Sequence, residues 1–306
     1  MNFKTLSMKL YISVFCCILF LSVFGQEKTI NIKDTSELNI NKVILISSSI
    51  STATIGGYTA LYSTWYKDYP KSKFHFFNDN SEWLQMDKIG HFYTANKLSI
   101  FVSNSYQWTG LPQRKSAVIG ASYGLAFQTI LEIMDGYNSE WGFSWGDMTA
   151  NILGSLSFLT QELFWKEQKV LLKFSTHLTD FAAIRPNVLG KTIPQRLLKD
   201  YNGQSYWISI PTNFIVKKSP DWLLFAFGYG IHNKIVGNND IYNDPITDIS
   251  YIAMREFYFS FDLDFSKLPI KNKLLKKITS QFNYLKIPFP TVQFNRNQAY
   301  FRGLYF

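Results

Sequence analysis

Six polar side chains stand in largely apolar surroundings: Asp87, His91, Glu132, Asp135, Asp147 and Asn151. They fall in two stretches, MDKIGHF at 86–92 and LEIMDGYNSEWGFSWGDMTANILGS at 131–155. Asp87 and His91 are spaced i, i+4 and share one face of a helix, and Asp147 and Asn151 repeat that spacing. Glu132 continues the helix face marked by Gly120 and Gly124. Carboxylates and an imidazole are costly in an apolar interior unless they are paired, hydrated or bound to a metal. Three kinds of chemistry fit. The groups can form a buried hydrogen-bonded network that fixes helix register. Asp87, His91, Glu132 and Asp147 can hold a divalent metal, the cofactor this mix of oxygen and imidazole ligands suits. The same four can be catalytic, with His91 as general base or nucleophile beside a carboxylate, hydrolysing an envelope phosphate or lipid ester. Lys88 is placed to help hold an anionic group. The loop DGYNSE at 135–140 lacks the spacing of a full calcium loop and reads as a turn.

The elements that must position these groups are helices. Lys42 to Tyr66 has no charge from Val43 to Tyr66 and is rich in Ser, Thr and Gly, which suits close helix packing. A loop containing Pro70, Asn78, Asp79 and Asn80 follows. Asn80 or Ser81 is the expected cap of a second helix running to about Gln107. Gly110-Leu111-Pro112 separates it from a third, Gln113 to Met134. Ser144, with Asp147 three residues on, is the expected cap of a fourth, which ends near Trp165. Residues 42–166 thus read as an antiparallel bundle of about four helices. None contains the unbroken apolar run of an unambiguous membrane span.

Beyond Lys166 the periodicity changes from helical to alternating. Ser205 to Val216, Trp222 to Ile231 and Glu256 to Phe265 read as strands. In the last, Phe257, Phe259, Phe261, Leu263 and Phe265 alternate with Glu256, Tyr258, Ser260, Asp262 and Asp264. Pro269 to Lys286 returns to helical spacing, with a basic fringe of Lys267, Lys271, Lys273, Lys276 and Lys277, as in a basic amphipathic helix. The fold class expected is α+β: a helical domain at 42–166, then a β-rich region at 167–306 carrying that one helix.

The chain has 306 residues, 46% apolar and only 17% charged, with 27 Phe, 18 Tyr and 8 Trp. Such a composition can bury a large core and suits the boundary between a membrane and water. The N-terminus reads as a secretory signal over residues 1–25: Lys4 and Lys9, an apolar Leu10–Phe24, and a cut before Gln26. A polar leader follows at 26–41. Both cysteines, Cys16 and Cys17, lie in the signal, so the mature chain has no thiol for a disulfide or metal site. Cleavage removes Lys4 and Lys9 and no acid, lowering the net charge from +9 to +7. Modest basicity in an exported chain points to membrane lipid or an envelope surface as partner. There is no nucleic-acid motif, Walker loop, nucleophile elbow or dinucleotide fingerprint.

The pattern Asp-Lys-x-x-His-Phe, a later glutamate, then Ser-Trp-x-Asp and a small-residue helix resembles the YfiM-like family of predicted periplasmic lipoproteins. More distantly it is similar to VanZ-like membrane proteins. The matching positions are Asp87, Lys88, His91, Glu132, Asp147, Asn151 and Gly154, within residues 84–165. The resemblance implies an envelope location and a helical core, and the family has no established activity. The chain departs from it in that neither cysteine follows a lipobox-like small residue. Taken together, the sequence supports an exported, membrane-associated envelope protein with a structural polar cluster, or else a metal- or histidine-dependent hydrolase. The alternating aromatic strands also suit part of a small outer-membrane barrel.

Overall fold

A computed structural model describes residues 37–296 and 298–305. The signal at 1–25 and most of the leader lie outside these residues. The fold is α+β, with eight α-helices and eight strands among the described residues. It divides into two compact units: the chain up to Asn78 with Thr94–Gln168, and Asp79–Tyr93 with Lys169 onward.

The first unit is helical. α1 spans Ile40–Leu61 and is capped by Asn39, whose side chain accepts from the Lys42 N–H. A π-helical turn, Tyr62–Tyr66, continues it. α2 spans Met86–Gln107 and enters this unit at Thr94. α3 spans Gln113–Gly136 and α4 Trp145–Phe164. α3 therefore runs through Asp135, which accepts from the Tyr66 hydroxyl (2.7 Å). Ile46 and Ile50 of α1 pack on Val102 of α2, and Tyr58 stacks on Phe127 at 4.5 Å. Gly120 and Gly124 sit against the backbone of α2: a Cβ on Gly124 would lie 2.5 Å from the Ala95 carbonyl oxygen. Only glycine allows so close an approach. The faces of α3 and α4 are inverted relative to an ordinary soluble helix. Apart from Phe158, buried positions are small or polar, including Ser116, Gly120, Gly124, Gln128, Glu132, Asp147, Asn151 and Ser155, whereas Val118, Ile119, Ile130, Ile133, Leu153 and Leu156 are exposed.

The second unit is built on a six-stranded antiparallel sheet in the order β1-β2-β3-β6-β7-β8. The strands are β1 Leu171–Thr176, β2 Gln204–Pro211, β3 Leu223–His232, β6 Met254–Leu263, β7 Phe289–Asn295 and β8 Gln298–Tyr305. Three short helices link β1 to β2: α5 Phe181–Ile184, α6 Pro186–Leu189 and α7 Ile193–Lys199. A small hairpin, β4 Ile241–Asn243 with β5 Ser250–Ile252, interrupts the path from β3 to β6. The sheet curls until the Tyr305 ring stands 6.4 Å from Trp207 and 4.8 Å from Tyr258. Its inner face sets polar and charged pairs around an apolar cluster of Trp207, Ala226 and Tyr258. Lys173 meets Asp262 at 2.9 Å with both side chains fully buried, and Ser209 donates to the same carboxylate. Glu256 accepts from Gln293 (2.7 Å) and Asn295. Gly228 leaves room for the Trp207 indole, which lies where a Cβ would be.

Three expectations are corrected. The second helix does not begin at Ser81, whose side chain caps nothing. Trp83, Leu84 and Gln85 adopt φ of 47°, 51° and 64°, a left-handed turn, and α2 starts at Met86. The strand expected at Ser205–Val216 ends at Pro211, where a 3₁₀ turn takes over. The basic amphipathic segment is shorter than Pro269–Lys286: α8 covers Lys273–Ser280, capped by Asn272, and Gln281–Tyr284 is 3₁₀. Lys286 then donates its backbone N–H to the Phe174 carbonyl of β1, which ends helical geometry there.

Candidate functional site

In the second unit, the left-handed turn delivers Asp87 and His91. A run of three non-glycine residues with positive φ costs roughly 1–2 kcal/mol per residue, so surrounding contacts must hold it. They do. The Trp83 N–H donates to the Gly237 carbonyl (3.0 Å), the Tyr229 hydroxyl donates to the Leu84 carbonyl, and Arg255 donates to the Gln85 side chain. Leu84 and Met86 are buried in one cluster with Ile231. Beyond the turn, Gly90 lets the Tyr206 hydroxyl come within 3.1 Å of its Cβ position, and the Tyr93 ring lies 5.6 Å from Tyr206. The first two turns of α2 are thereby fixed on the sheet.

On that platform Asp87 and His91 are paired as the spacing predicts. His91 Nε2 lies 3.9 Å from Asp87 Oδ2, an ion-pair distance that becomes a charge pair when the imidazole is protonated. Tyr201 donates its hydroxyl to Asp87 Oδ1 at 2.6 Å. A carboxylate held by a phenol and facing an imidazole is arranged to orient that ring. Lys88, expected to assist anion binding, is instead paired with Asp79 at 2.7 Å. Asp79, Asp87 and Glu82 make this corner acidic. Burial, then the charges of Asp79 and Asp87, raise the Glu82 pKa above its ordinary value, against the lowering effect of Lys88 and Lys234.

A raised carboxyl pKa costs stability as pH rises through it, because the folded chain holds a proton that the unfolded chain has released. Glu82→Gln is therefore expected to raise Tm at neutral pH, and the gain should shrink to nothing near pH 4. Thermal melts of both proteins across that range check it. A gain that persists unchanged at acid pH would show that ionisation is not the cause.

In the first unit, Glu132 of α3 and Asp147 of α4 meet through Ser144. The Ser144 N–H donates to Glu132 Oε2 (3.2 Å), and Ser144 Oγ accepts from the Asp147 N–H (3.1 Å). Ser144 thus caps α4 as its sequence predicts, and Glu132 holds the cap from behind. Asp147 lies in the first turn of α4, where a carboxylate is favoured by the helix dipole. One turn on, Asn151 Oδ1 accepts from Gln128 Nε2 (3.3 Å). All five side chains are buried. Asn96 and Ser157 add a further bond within the unit (3.0 Å).

Sequence reasoning missed Tyr201, Gln128 and the left-handed turn. Tyr201 follows a polar run and lies more than a hundred residues from its partner. Gln128 had a signal: it is one helical turn before Glu132 on the glycine-marked face of α3.

A polar row inside the helical unit, and a curled antiparallel sheet with buried charged pairs in the second, make this an α+β protein. A family model described as predicted periplasmic lipoprotein (DUF2279) matches residues 75–161. That stretch contains Asp87, His91, Glu132, Asp147 and Asn151. No curated protein matches the chain, and no solved structure matches it. The chain is exported, to the periplasm or the outer membrane.

Proposed function

We propose that this chain is a membrane-associated envelope protein, akin to the YfiM-like and VanZ-like proteins, whose helical unit is a bundle with a structural polar interior. One observation carries this reading: α3 and α4 bury glycine, serine, amide and carboxylate positions while exposing Ile, Leu and Val. Helices packed in lipid follow that rule, since small residues permit close approach and polar groups bond across helices while apolar groups face acyl chains. Ile40–Tyr66 and Gln113–Gly136 are also long and apolar enough to cross a bilayer by length and composition. On this reading the bonds of Glu132, Ser144, Gln128 and Asn151 set the register of α3 against α4.

Alkaline carbonate extraction of membranes tests it. The chain is expected to stay in the pellet, and its release to the supernatant would end the reading. In the purified protein, Asp147→Asn is expected to lower Tm with no change in metal content.

The Asp87–His91 pair favours a second reading. Asp87, His91, Glu132 and Asp147 would hold a divalent metal or serve a hydrolase acting on an envelope phosphate or lipid, with Tyr201 orienting the pair. It predicts stoichiometric metal in the purified chain, lost in His91→Ala with little change in Tm. A metal-free parent protein rejects the metal form of this reading.

A further inference from the structure

We propose that the outer face of the six-stranded sheet, outside the corner where the start of α2 packs on Tyr206 and Tyr229, is itself a lipid-contacting surface, seated among the acyl chains of a bilayer whose headgroups are anionic. This rests on the membrane association argued above and extends it to the second unit.

The sheet is inside-out. Along β6, Glu256, Tyr258, Ser260 and Asp262 are buried, whereas Phe257 and Phe261 are exposed. β2 and β3 follow suit: Trp207, Ser209, Ala226 and Gly228 point inward while Ile208 and Phe227, direct partners in the register, point out. Exposure on this face reaches 49% for Phe227, 53% for Phe257, 46% for Phe294 and 73% for Phe301. Phe225, Phe227, Phe259 and Phe261 form a continuous patch with ring centroids 5.3–6.0 Å apart. Water-soluble sheets put this surface in the core and the charges outside. Apolar-out with polar-in is the alternation of strands that face lipid. β3 and β6 have ten residues each, the length a tilted strand needs to traverse a hydrocarbon layer.

Charge says which surface covers the face. α8 and the turn before it carry Lys267, Lys271, Lys273, Lys276 and Lys277, while Leu274, Leu275, Ile278 and Phe282 stand exposed on the same segment. Cations flanking exposed apolar side chains match anionic headgroups over hydrocarbon.

Two measurements on the full chain test this. A photoreactive benzoylphenylalanine replaces Phe227 or Phe301 on the sheet, or Ile130 on α3, in cells exporting the protein. Lipid adducts at Phe227 and Phe301 are expected. Adducts to another protein, or to a second copy, would overturn the proposal in favour of a protein interface. Lipid adducts at Ile130 with none at Phe227 or Phe301 would overturn it and leave the helical reading standing; none at any site would remove both. The second measurement is binding of the purified chain to phosphatidylcholine vesicles with and without phosphatidylglycerol. Lys271→Gln with Lys273→Gln is expected to weaken binding to the anionic vesicles about thirtyfold and to leave the neutral vesicles unaffected. Equal binding by parent and variant would remove the headgroup part of the proposal.

Discussion

Asp262→Ala is expected to lower unfolding free energy by about 3–5 kcal/mol, because it strands a fully buried ammonium. Lys173 Nζ reaches Asp262 at 2.9 Å, and its other acceptor is the Leu263 carbonyl at 2.7 Å. Neither side chain of the pair touches solvent. Removal of the carboxylate also leaves the Ser209 hydroxyl without its acceptor. A buried charge without a partner costs far more than the pair itself contributes. The double variant Lys173→Met with Asp262→Leu should therefore recover most of the loss, since an apolar pair of similar volume removes both desolvation costs. Denaturant unfolding in detergent, followed by tryptophan fluorescence, measures all three proteins. A loss below about 1 kcal/mol for Asp262→Ala would mean that the pair is solvated and the sheet interior wet.

Gly120→Leu is expected to be comparably damaging by a different route, costing about 3 kcal/mol or more through overpacking. A Cβ at Gly120 would lie 2.9 Å from the Ser103 backbone nitrogen and closer still to the Ser99 carbonyl. Backbone cannot give way as a flexible side chain can, so α2 and α3 must separate. Separation would also loosen the contacts at Gly124 one turn along. Ala126→Leu, on the exposed face of the same helix, is the control and should leave the melt unchanged. Equal melting of Gly120→Leu and the parent would show that the two helices do not pack at contact distance.

The sequence made most of the helices and three of the strands readable, for identifiable reasons. α1, α3 and α4 are long, apolar and bounded by cap or breaker residues, and Ser144 caps as expected. β2, β3 and β6 alternate cleanly. β1 was not legible because six residues with Lys173 at their centre give no two-fold pattern strong enough to read. The closing segment at 291–306 is strand-like in sequence too, but its division into the β7–β8 hairpin was hidden because the turn passes through Arg296 at φ 49° rather than a glycine. Alternation also identifies two faces without saying which is wet, so the inward direction of Glu256 and Asp262 could come only from structure. At the candidate site, the i, i+4 spacing of Asp87 and His91 was readable, and so was the burial of Glu132 and Asp147. The turn before them was not, since Trp83, Leu84 and Gln85 are residue types that seldom adopt left-handed φ.

That turn sets an angular phase for everything downstream on its helix. Each residue advances a helix by about 100°, so gaining or losing one residue between Asp79 and Met86 would swing Asp87 and His91 a quarter-turn or more away from Tyr201. The spacer length is consequently as much a determinant of this corner as the ionisable groups themselves. A randomised library at 83–85 should tolerate glycine or asparagine at 85 while rejecting every insertion and deletion.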